Sequence, residues 1–171
     1  MSRYSKQPWG ARFATLGDEA ETIYFQAKPL GPTTRWGFRR PEGVAVSKFP
    51  NAVAHTPDAV TYQHYVEVMG MGKDGVLKSV KVEKWEALTV WQKIAKLCGM
   101  TGGVMFFVWN SSQKAFAVLD FKSMTKLVKR STTDFGIQRF ENDNNEYHPI
   151  PWEWLVAAAV WVERVEETGS S

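Results

Sequence analysis

The run Gly103 to Trp109, Gly-Val-Met-Phe-Phe-Val-Trp, is apolar at every side-chain position. Successive side chains of a strand point to opposite faces, so a run without alternation belongs to a central strand covered on both sides. Immediately ahead of it, Trp85, Leu88, Trp91, Ala95 and Cys98 recur at spacings of three and four, which predicts an amphipathic helix over Glu83 to Cys98, closed by Gly99. Behind it, after an Asn110 to Lys114 turn, Ala115 to Asp120 reads as another strand. A covered strand between a helix and a further strand constrains the chain to an α/β architecture.

The flanking sequence fills in the order. Asp18, with Glu19 and Glu21 in the following turn, is an N-cap for a helix to about Lys28, which Pro29, Gly31 and Pro32 end. Three strands are expected next, Thr34 to Arg39, Val53 to Thr61 and Tyr65 to Met69, separated by Pro41-Glu42-Gly43 and Phe49-Pro50-Asn51 turns. Val76 to Val82 reads as extended, Phe121 to Lys129 as a short helix with a basic outer face, and Glu141 to Glu146 as a loop. Tyr147 to Trp154 is read as a strand edge or helix start, and Leu155 to Val165 as a final amphipathic helix. The expectation is a central mixed sheet of about five strands flanked by helices. At 171 residues this is one domain, taken as 1–168 with an arm at 1–10 and a tail at 169–171.

Several function classes drop out. The single cysteine, Cys98, cannot make an intrachain disulfide, fits a reducing cytoplasm, and reads as buried packing. There is no paired Cys/His spacing for structural zinc. No stretch approaches the ~20 apolar residues of a membrane span, so a cytoplasmic protein without a membrane partner is expected. The formal net charge of +3 is compatible with a polyanionic partner.

The chemistry-bearing feature is a pair of carboxylates. Asp58, in His55-Thr56-Pro57-Asp58, and Glu67, in Tyr65-Val66-Glu67-Val68-Met69-Gly70, fall at adjacent predicted strands. Glu67 stands in an otherwise apolar strand, where an unpaired carboxylate is costly. Asp58 is also a residue type that forms turns after Pro. Two carboxylates so placed could share a divalent metal, which prefers a few carboxylate oxygens and retained waters, and the Val68 backbone carbonyl could add a ligand.

Pro57-Asp58 followed by Glu67-Val68-Met69, after an acidic helix and before an amphipathic one, resembles the PD-(D/E)xK nuclease superfamily. This restriction-endonuclease-like group includes Holliday junction resolvases and phage nucleases. The resemblance spans roughly residues 17–120. It implies a DNA endonuclease using Mg²⁺ or Mn²⁺, selective for structures such as junctions, flaps or ends, with Asp58 and Glu67 on the metal. It also implies a lysine two residues after the glutamate, where this chain has Met69, whose thioether carries no charge and donates no hydrogen bond. Members of the superfamily supply that lysine from a neighbouring element, and Lys81, then Lys84, are the preferred substitutes, with Lys78 and Lys73 behind them. An acidic residue one turn after a glycine, as Glu21 follows Gly17, is implied as a third acid. Periodicity keeps Glu19 as its rival.

Arg35, Arg39, Arg40 and Lys48 surround the first predicted strand and are candidates for phosphate contacts. Lys122, Lys126, Lys129 and Arg130 form a second cluster that reads equally as a solvated face. Trp9, Trp36 and Phe49 are candidates for stacking on bases, against the ordinary role of Trp in cores. His55 and His64 flank the carboxylates as candidate acid-base groups or ligands, while His148 beside Pro149 reads as loop structure. A homodimer is an expectation, with Ala157 to Trp161 as its surface or as core. A catalytically inactive DNA-binding protein on the same fold and a structural or protein-interaction domain are the competing readings.

Overall fold

The computed structural model describes residues 9–141 and 143–166, with side chains described from Leu16 onward. Its long first helix α1 (Trp9–Ala27) leads to the short strand β1 (Thr33–Arg35), a 3-10 turn at Val46–Lys48 and a single helical turn, α2 (Asn51–Ala54). The hairpin β2 (Ala59–Thr61) and β3 (His64–Met71) follows, then β4 (Val76–Leu77), helix α3 (Val82–Leu97) and the hairpin β5 (Gly103–Asn110) and β6 (Ala115–Asp120). The chain continues through α4 (Phe121–Phe135), the small strands β7 (Gln138–Arg139), β8 (Glu146–Tyr147) and β9 (Ile150–Pro151), helix α5 (Trp152–Ala158) and β10 (Trp161–Arg164).

Six strands form one mixed sheet in the order β1-β2-β3-β5-β6-β10. Only β3 and β5 run parallel, joined by α3 as a crossover, and the other neighbours are antiparallel. Every residue of β5 is buried, as its unbroken apolar run requires. Val104, Phe106 and Val108 enter one core layer with Leu88, Met124 and Leu155, while Met105, Phe107 and Trp109 enter the other with Ala20 and Tyr24 of α1. Each large side chain so buried contributes about 1.5–3 kcal/mol. The fold is therefore mixed α/β with helices on both faces of a central sheet.

Close approach fixes one glycine. A Cβ at Gly70 of β3 would collide with the Leu16 carbonyl group, so α1 crosses the sheet where β3 has no side chain on that side.

Several expectations are corrected. α1 begins at Trp9, so Trp9 and Gly10 are helical and Asp18 lies mid-helix instead of capping; residues 1–8 of the expected arm, and the tail, lie outside the described residues. Ala11, Ala14 and Leu16 are strong helix formers that carry the helix across Gly17. Residues 51–54 are helical, because Pro50 needs no donor at a helix start, and the strand is confined to 59–61. β1 stops at Arg35, and Gly37, at φ +79°, turns the chain away. The sheet has six strands because the expected final helix divides: α5 stops at Ala158, extended Ala159 follows, and β10 covers the otherwise open edge of β6. The residues offered for a homodimer surface are thus split between helix and edge strand, with Val160, Trp161 and Val162 exposed. Cys98 is exposed at the C-cap of α3, not buried.

Candidate active site

The strand register places the carboxylates together. Ala59 pairs with Val66 and Val60 with Tyr65, so continuing the ladder sets Asp58 opposite Glu67. The Asp58 carbonyl accepts from Trp36 N on the β1 side at 2.8 Å, which makes Asp58 and Glu67 a non-hydrogen-bonded cross-strand pair, the closer of the two kinds. The Asp58 carboxylate fills the place where β2 gives out: Oδ2 accepts from Val68 N at 2.7 Å. In an extended strand the N–H and C=O of one residue point to the same edge, so the Val68 carbonyl also points to the β2 side and not into the β5 ladder.

Glu67 shares its face of β3 with Tyr65, Met69 and Met71, the face packed under α3. It is 2 % exposed. The first turn of α3 brings Lys84 over it, and Nζ donates to Glu67 Oε1 at 2.5 Å. The Lys84 side chain keeps 23 % of its surface exposed, while its ammonium lies on the buried carboxylate. Met69 is buried in the core beneath α3. The helix that covers it also carries Lys84.

Two acids and one base share this site, and the imbalance shows in their protonation. Desolvation and the neighbouring Glu67 push the Asp58 carboxyl up to about 8, against the opposing pull of Lys84 and the Val68 N–H. Burial works against the Lys84 ammonium, but Glu67 and Asp58 outweigh it and hold its pKa above the usual lysine value. One positive charge is too little for both carboxylates; a divalent cation would supply what is missing.

The donor set fits such an ion in one way only. Among the described residues no three His, Cys, Asp or Glu side chains are gathered as a metal cluster, which does not suit a zinc-type site. Mg²⁺ is commonly held by one or two carboxylates with waters and substrate phosphate oxygens. Asp58 and Glu67 each keep one carboxylate oxygen without a hydrogen bond among the described residues, and the Val68 carbonyl faces the same side of β3 as the Val68 N–H that Asp58 holds. That set fits Mg²⁺ or Mn²⁺.

The other predicted residues separate clearly. Glu21 pairs with Arg35 at 2.7 Å and lies close enough to Asp58 to raise its pKa further, so it is on the site's side. Glu19 instead accepts from Trp109 Nε1 at 2.9 Å and Ser111 Oγ at 3.0 Å. Lys81, preferred on sequence, precedes α3 and holds its ammonium 5.9 Å from the Phe140 ring centre; Lys84 is the lysine on Glu67. Lys78 pairs with Asp74, and Lys73 is exposed. His55, half-buried at the end of α2, has a pKa lowered by burial and by Lys84, which places it beside the site. His64 lies at the other end of β3 with Nδ1 buried and without a hydrogen-bond partner among the described residues, and His148 is buried against Thr132. Arg39, Arg40 and Lys48 are exposed on the segment 36–50, which leaves β1 beside Asp58. Arg35 is occupied by Glu21 and by the Phe25 ring, 4.2 Å from its guanidinium carbon. Lys122, Lys126, Lys129 and Arg130 face solvent on α4, with Arg130 laid over Trp154.

No protein-family model matches the chain, and no curated protein matches its sequence. Among solved structures it is similar to a nuclease from a fusselovirus, at 12% sequence identity and a TM-score of 0.42, with 86% of each chain covered.

Proposed function

We propose that the protein is a metal-dependent DNA endonuclease of the PD-(D/E)xK type that hydrolyses phosphodiester bonds and selects structured DNA such as junctions, flaps or ends. The observation that carries this reading is the contact of Lys84 Nζ with Glu67 Oε1 at 2.5 Å, in a site whose second carboxylate, Asp58, lies directly across the ladder. It restores the acid, acid and lysine set that Met69 interrupts in the sequence.

Asp58, Glu67 and the Val68 carbonyl would hold Mg²⁺ or Mn²⁺, which polarises the phosphate and lowers the pKa of a bound water. Lys84 offers donors next to Glu67, where they can orient an attacking water or stabilise charge growing on the phosphate oxygens. Glu21 supports this set from α1. Arg39, Arg40 and Lys48 line the approach with positive charge, and Arg35 joins them when it leaves Glu21. The alternative, an inactive DNA-binding protein on the same fold, is favoured by one observation: the position two residues after Glu67 holds Met69, which carries no charge.

Cleavage of labelled duplex, single-stranded, flap and four-way-junction DNA with Mg²⁺, Mn²⁺ or EDTA separates the two. The nuclease reading expects metal-dependent cutting that falls at least ~100-fold in Asp58→Asn and in Glu67→Gln, since each removes charge from the metal site. Binding of DNA by folded wild type without cutting under any metal would favour the inactive reading.

A further inference from the structure

The register that pairs Asp58 with Glu67 extends one strand further. Arg35 pairs with Ala59, and the next residue, Trp36, donates its N–H to the Asp58 carbonyl at 2.8 Å. Residues directly opposite one another on neighbouring strands present their side chains to the same face. Trp36, Asp58 and Glu67 therefore stand in one row on one face, where the ladder runs on past β1 and β2 to β3.

Trp36 is 44 % exposed, although it belongs to an aromatic cluster. Its ring meets Tyr65 at 5.2 Å and Trp91 at 5.8 Å between centroids, both edge-to-face. Tyr65 and Trp91 themselves meet edge-to-face at 5.2 Å, and Trp91 Nε1 is anchored on the Ala52 carbonyl at 2.9 Å. The indole is thus packed against two anchored rings while close to half of it stays exposed. The chain leaving it carries exposed Arg39, Arg40 and Lys48, and its two ends are drawn together by Phe38 on Phe49 at 4.8 Å. A rigid, half-open indole beside basic side chains suits an unpaired base with its phosphates, whereas bases stacked within a duplex have no free face to offer.

We infer that Trp36 is a stacking platform for an unpaired base next to the scissile phosphate, so the substrate is single-stranded DNA or DNA with a single-stranded branch. The inference rests on the nuclease reading for what is cut, but its test is independent of cutting. Binding of a fluorescein-labelled oligo-dT strand and of a blunt duplex of the same length is measured by anisotropy in EDTA, for wild type, Trp36→Leu and Trp36→Phe. Loss of stacking on one aromatic predicts about a tenfold weaker affinity of Trp36→Leu for the single strand, with duplex affinity unchanged and Trp36→Phe close to wild type. Equal weakening for both DNAs, no weakening, or no binding of the single strand by wild type overturns it. Cutting that persists while Trp36→Leu binds like wild type would remove the platform and leave the nuclease. Selective loss of single-strand binding in a protein that cuts nothing would do the reverse.

Discussion

Asp58 is a carboxylate that folding desolvates beside a second one. Desolvation beside Glu67 lifts its carboxyl from near 4 to about 8. Between those values, without divalent metal, the folded chain holds a proton that the unfolded chain has released, so stability falls as pH rises through that window. Asp58→Asn keeps an oxygen for the Val68 N–H and carries no charge. It is expected to lose this slope and, at pH 8 without metal, to melt a few degrees above wild type, a gain of roughly 1 kcal/mol or more. Thermal melts of both proteins from pH 5 to 9 in EDTA check this; equal slopes would mean that Asp58 is solvated and ordinary. The residue types of this site were legible in the sequence. Glu67 stood out as the acid in an apolar strand, and Asp58 as the acid after Pro57. Which lysine completes them was encoded less openly. Lys84, Leu88, Trp91 and Ala95 follow the same three-and-four spacing as the buried stripe of α3, a signal that the preference for Lys81 over Lys84 on sequence passes over.

Among the elements, β3 positions the most. It supplies Glu67, the Val68 amide and carbonyl, and the contact surface for α1 at Gly70. Gly70→Ala would drive a methyl group into the Leu16 carbonyl, separating α1 from the sheet and shifting Glu21 with it. A loss of about 1–3 kcal/mol is expected, the range of overpacking in a tight core. Denaturant unfolding measures it, and a variant as stable as wild type would show that α1 is held loosely. Covered strands and the α3 helix were readable because their patterns are long. The short elements were not. Residues 51–54 and β10 are four residues each, too few for periodicity to tell helix from strand, and tertiary pairing decides both. The apolar stretch from Leu155 onward fits a helix stripe equally well until the open edge of β6 recruits its last part.

For the whole molecule, the sheet order explains why the site lies where it does. The parallel pair β3 and β5 occupies the middle, and α3 must cross over their face to join them, so its first turn arrives above Glu67. The hairpin strand β2 starts beside it at Ala59, just after Asp58 bonds the Val68 N–H, and the basic segment 36–50 leaves β1 at the same place. On the proposed reading, a lysine from α3 stands in for a lysine from β3 without any change of topology. The most direct measurement is the single-turnover cleavage rate of wild type and Lys84→Met at saturating protein with Mg²⁺, on the DNA that wild type cuts best, with binding measured in parallel. At least a ~100-fold slower rate with unchanged DNA affinity is predicted, as for loss of a group that acts on the transition state. Cutting by folded Lys84→Met at the wild-type rate would contradict the account.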